Sequence, residues 1–197
     1  MLLLLLFALT QVQADQLVEQ LRPLSTPIPA LGRSDGRVDP VELRRRELYR
    51  QIRQLGDDAL PALARGLGDP DVRLRTNVAL ALGALAGTWW DRSVPRLNIR
   101  PILGELMAAL HDEDTSVRAW SAQAIGEIGP DAAPAVPALI VLLANADEGS
   151  RNSACIALHG IGPAARDALP ALRKALEDPS LDVRRFAERA IERIQGR

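Results

Sequence analysis

LPALARGLGDP at 60–70, LGELMAALHDE at 103–113, VPALIVLLANA at 136–146 and LPALRKALEDP at 169–179 align without a gap. With Pro61, Gly104, Pro137 and Pro170 taken as equivalent, the copies are spaced by 43, 33 and 33 residues. Leu recurs two places on (Leu63, Leu106, Leu139, Leu172) and six places on (Leu67, Leu110, Leu143, Leu176). Side chains four apart share a face of a helix, so each copy predicts a short amphipathic helix, helix A. One such unit cannot cover its own apolar face; stacked copies cover one another, which is the logic of a solenoid.

A second helix follows each copy. Its landmarks are Arg75, Arg118, Arg151 and Arg184, at the same spacings. Six residues after each Arg stands Ala (Ala81, Ala124, Ala157, Ala190), then Leu or Ile (Leu82, Ile125, Leu158, Ile191), and ten after the Arg another apolar residue (Leu85, Ile128, Ile161, Ile194). These intervals draw an apolar stripe along one face of helix B. The alanines let neighbouring backbones come close. Loops such as Gly129-Pro130-Asp131 and Gly162-Pro163 separate the units. The segment 41–55 fits as the second helix of a leading unit, with Arg45 in the landmark place and Asp39-Pro40 as its start. It has no first helix by this reading, and is expected to act as an N-terminal cap.

On these residues the chain resembles the HEAT repeat, in particular the bacterial type similar to the bilin-lyase HEAT-like repeats, over about residues 41–197. The resemblance implies an all-α, α-α superhelix, a HEAT-repeat solenoid of armadillo type. It further implies a ladder in which an Asp closing helix A is bonded to the Arg six residues later: Asp69 with Arg75, Asp112 with Arg118 and Asp178 with Arg184. The third copy departs, with Asn145 before Arg151, so its rung loses a charge and is expected to be weaker.

The flanks read differently. Residues 1–14, MLLLLLFALTQVQA, pair a short apolar block with Val12-Gln13-Ala14, the small-x-small pattern of a signal peptide. The block Leu2–Leu9 is too short to span a bilayer. Cleavage after Ala14 would export the chain to the periplasm or the medium; without cleavage it stays cytoplasmic. Residues 15–40, with Pro23, Pro27, Pro29, Gly32 and Gly36, read as a linker.

Composition narrows the chemistry. A formal net charge of −1 over 197 residues argues against a surface built for nucleic acid. One cysteine and two histidines leave no multi-cysteine metal site and no His-rich ligand set, so no metal and no cofactor is expected. No Gly-rich phosphate loop or catalytic triad spacing occurs. His159 stands where Gly83 and Gly126 stand in sister copies and reads as a packing or loop residue; Cys155, aligned with Ala79 and Ala122, reads as a buried small hydrophobe.

The expected function is therefore binding of a protein or peptide, without catalysis. Positions two and five after each landmark Arg, where the copies differ, are expected to face the concave groove: Asn77 and Leu80, Trp120 and Gln123, Ile156, and Phe186 and Arg189. Aromatic side chains beside Arg are typical interface anchors. The ten-residue insertion at about 87–99 carries Trp89 and Trp90, expected to plug a gap between helices or form a lip on the groove. A lyase-like accessory role in chromophore attachment is the alternative that the resemblance suggests.

Overall fold

The computed structural model describes residues 2–24, 39–87, 96–145 and 147–196, and among these there are ten α-helices, four 3₁₀ turns and no strand. After α1 (Leu2–Glu19) and α2 (Pro40–Leu55) come four hairpins: α3 (Leu60–Leu67) with α4 (Val72–Ala86), α5 (Leu103–Ala109) with α6 (Thr115–Ile128), α7 (Val136–Leu142) with α8 (Glu148–Ile161), and α9 (Leu169–Ala175) with α10 (Leu181–Gln195). The B helices α4, α6, α8 and α10 pack in that order, each backed by its own A helix. This is an α-helical solenoid. Trp89 and Trp90 lie outside the described residues.

The regularity starts with caps. Asp71, Asp114, Asp147 and Ser180 each accept a hydrogen bond from a backbone N–H in the first turn of the B helix they precede. Such caps satisfy donors that the helix leaves unpaired. At the other end, Gly129 (φ +76°) and Gly162 (φ +66°) close α6 and α8 in backbone conformations that side chains disfavour. The leucines of helix A and the apolar residues of helix B then meet between the layers, where Leu63, Leu106, Leu139 and Leu172 are all fully buried. The small residues bring α6 and α8 into backbone contact. A Cβ on Gly160 would stand 2.4 Å from the Gly126 carbonyl oxygen, and one on Gly126 would stand 3.0 Å from the Ala157 Cα.

The ladder is present with a different wiring. Within a hairpin, each Arg donates to backbone carbonyls at the end of helix A: Arg75 to Asp69 and Pro70, Arg118 to Asp112 and Glu113, Arg151 to Asn145, and Arg184 to Asp178 and Pro179. The carboxylate it grips belongs to the next hairpin. Arg75 holds Asp112 (Nε–Oδ2 2.7 Å, Nη2–Oδ1 3.0 Å), and Arg151 holds Asp178 with the same pair of distances. The side chains of Asp69, Asp112, Asn145 and Asp178 also each accept from the backbone N–H two residues on, which shapes the turn. The pairing of Asp69 with Arg75, Asp112 with Arg118 and Asp178 with Arg184 is thus corrected: the side-chain bond runs between units. Asn145 consequently affects Arg118, not Arg151. Arg118 bonds instead to Asp147 (2.6 Å) and to Ser150 Oγ (2.9 Å), so the rung is displaced by two residues and keeps its charge.

The linker over 15–40 is corrected at its start. Ala14, Leu17, Val18, Leu21 and Leu24 are buried, and α1 packs on α2, on α3 and on the turn Gly56–Ala59. It supplies the first helix that the leading unit lacked. Arg22, just beyond α1, begins the ladder: Nη1 and Nη2 reach Asp69 Oδ1 and Oδ2 at 2.9 and 3.1 Å, and Asp71 lies 3.1 Å away. Leu17 and Leu21 stand four apart, and the turn that follows Glu19 carries the buried row on through Leu21 to Leu24, past Pro23.

Candidate binding groove

On a B helix, position five lies about opposite to the buried positions seven and ten, on the side turned away from helix A. The row is not equally open. Leu80 of α4 is 2% exposed, and every residue of that helix from Leu74 to Ala86 is buried, so the expectation that Leu80 faces a partner is corrected: it is closed to solvent, although it stands outside the main apolar cluster. From α6 onward the row opens: Gln123 and Ile156 are half-buried and Arg189 is exposed.

Position two differs from its expected place. Asn77 is fully buried, accepting from Arg45 Nη1 at 3.0 Å and donating through Nδ2 to the carbonyls of Leu21 and Leu24. It ties α4 to the preceding unit and offers nothing to a partner; a polar side chain buried in this way needs such bonds. The sister residues Trp120 and Phe186 are half-buried against the core, so position two lies at a seam between units and is partly open to solvent in α6 and α10. The sequence showed that these positions vary, but not that variation at position two reflects what each seam must fill.

At the seam between α8 and α10, Arg189 and His159 are exposed and Ile156 and Phe186 are half-buried. Arg189 lies over the Phe186 ring, its guanidinium carbon 5.5 Å from the ring centroid. The His159 ring, exposed one turn after Ile156, places Nδ1 3.3 Å from the Arg189 carbonyl oxygen. His159, expected from its glycine sisters to be a packing or loop residue, is exposed at position eight, whereas Gly83 at the same position of α4 is buried.

Elsewhere, Cys155 is buried, and desolvation pushes its thiol up to about 12, so it is not a thiolate at neutral pH. Among the described residues no group of three or more His, Cys, Asp or Glu is arranged to hold a metal ion. The span Thr115–Leu142 has the length and apolarity of a membrane crossing, yet it comprises α6, a turn begun by Gly129, and α7, whose Val136, Leu139 and Leu142 are buried in the core.

Family models match the sequence twice, both described as HEAT repeats, at residues 59–88 and 103–195. No curated protein matches the chain. Solved structures do. A chain of the structure of the complex of CpcE and CpcF of phycocyanin lyase from Nostoc sp. PCC7120 superposes with a TM-score of 0.67 at 18% identity, over 91% of this chain and 98% of that chain. An engineered protein gives 0.63 at 26% identity, over 77% and 69%. A designed armadillo repeat protein in complex with the peptide (KR)4 gives 0.61 at 20% identity, over 92% and 81%.

Proposed function

Because the chain belongs to the HEAT-repeat family, we propose that it is a non-catalytic scaffold that takes a protein or peptide partner on its concave helix-B face. One observation carries this reading. Three successive B helices each have a side-chain cap, an Arg bonded back to the end of helix A and a buried apolar face, yet present Gln123, Ile156 and Arg189 at one equivalent and accessible position, with Trp120 and Phe186 half-buried beside them. Identity at structural positions with diversity on one row is what modular recognition requires. The likeness to a designed repeat protein that carries a peptide supports the same use of the fold.

The test is a partner assay with Trp120→Ala combined with Phe186→Ala. Recovery of the bound partner should fall while far-ultraviolet circular dichroism stays unchanged. Undiminished recovery by a folded double variant would refute the groove. Export is part of the proposal: amino-terminal sequencing of the protein from its native envelope fraction should begin at Asp15. A lyase-like accessory role draws support from the likeness to CpcE and CpcF, and a pigment retained through purification would favour it.

A further inference from the structure

In contrast to the basic peptide held by the designed armadillo protein, we infer that the α8–α10 seam receives an acidic segment of the partner, a carboxylate on Arg189 with an apolar neighbour against Ile156 and Phe186. This rests on the groove reading and makes it specific.

The argument begins with charge placement on α10. Its arginines 184, 185, 189 and 193 form no salt bridge with any described carboxylate, whereas Arg22, Arg75, Arg118 and Arg151 each hold one. Helical periodicity sorts the charges of α10 into two rows. Arg185, Arg189 and Arg193 follow one another along the side bearing Phe186, with Asp182 a turn before them. Glu188 and Glu192 fall on the adjoining row, which in α8 is the row turned to the next unit. The groove side is therefore basic within a chain whose net charge is −1.

The seam is also preorganised. Stacking on Phe186 holds the Arg189 guanidinium in place and leaves its edge N–H groups for an oxygen ligand. A planar fork matches a carboxylate in two parallel hydrogen bonds. His159, tied to the Arg189 carbonyl through Nδ1, keeps its other ring nitrogen for a second polar contact. Arg193 packs along the Gly162 turn, where a Cβ would lie 3.6 Å from its Nε, extending the basic edge across the seam. Ile156 supplies the apolar wall.

The experiment measures fluorescence anisotropy of three labelled peptides of about eight residues, alternating Leu with Asp, Ser or Lys, on the full chain at low ionic strength. The Asp peptide should bind about tenfold more tightly than the Ser peptide, and the Lys peptide more weakly than either. Arg189→Glu should reverse the order of the Asp and Lys peptides, while Arg173→Glu, on the A helix α9, leaves it as it was. A preference for the Lys peptide, or Asp-peptide affinity within about twofold of the original in Arg189→Glu, overturns the inference. Equal binding of all three that is lost in the Trp120→Ala, Phe186→Ala protein also overturns it but leaves the groove standing; equal binding that survives in that variant removes both.

Discussion

Arg151 grips Asp178 through two parallel hydrogen bonds, so the last hairpin hangs on the one before it by a bidentate ion pair whose side chains are 14% and 8% exposed. Pairs so withdrawn from water are costly to break from one side, because the remaining charge keeps its desolvation penalty. Asp178→Asn retains an acceptor and loses the charge. It is expected to destabilise the fold by about 1–3 kcal/mol, read as a lowered urea midpoint at neutral pH with an unchanged slope.

The same ladder sets the acid limit. The Arg22 guanidinium holds the Asp69 carboxyl below its usual value, and the Arg151 guanidinium does the same for Asp178. A carboxyl whose folded value is depressed binds protons more readily in the unfolded chain. Its contribution is complete above the unfolded value of about 4 and is lost as pH falls through the lower folded value. Stability should be level from neutral pH to about 5 and decline below about 4, with a shallower decline in Asp178→Asn. Urea titrations across that range measure it; a loss beginning near neutral pH would contradict the assignment.

The contact between α6 and α8 makes a sharper demand. At Gly160 an added methyl would meet the Gly126 carbonyl at 2.4 Å, and the obstacle is backbone rather than a side chain that can turn aside. Gly160→Ala should cost about 1–3 kcal/mol as the helices are forced apart, despite the better helix propensity of Ala. Gly104→Ala, in α5 with nothing within 4 Å of the new atom, is the matched control, expected to be neutral or stabilising by up to about 1 kcal/mol. Thermal melts of the two variants should move in opposite directions or, at least, differ by several degrees.

Repetition made most of the framework legible before any coordinates. Leu63, Leu106, Leu139 and Leu172 announce helix A by recurrence alone, and the recurring Arg and Ala announce helix B. What recurrence cannot show is which neighbour a residue addresses. Arg75 and Asp69 are six apart in one copy, and nothing in that interval says that the guanidinium reaches forward to Asp112. Asn77 and Trp120 occupy equivalent positions, and only packing reveals that the first is sealed beneath Leu21 and Leu24 while the second keeps an open edge. The leading helix was hidden for another reason: its stripe is short, unrepeated, and joined to an apolar block that reads as an address.

That leading helix yields the most direct discrimination between packing and linkage. Leu21 is fully buried, its carbonyl accepts from Asn77, and the next residue, Arg22, holds Asp69. Were residues 15–24 a tether, Leu21→Ala would change stability by less than about 0.5 kcal/mol, as at an exposed site. As a core position it should cost about 2–5 kcal/mol, because the lost methyl groups leave a cavity between α1 and the first hairpin. Arg22→Ala, whose side chain is 33% exposed and screened by solvent, should cost far less than Leu21→Ala. The order, with the apolar residue far outweighing the charged one beside it, follows from burial. Equilibrium urea unfolding of both variants reads it, and comparable small effects would return the segment to the role of a tether.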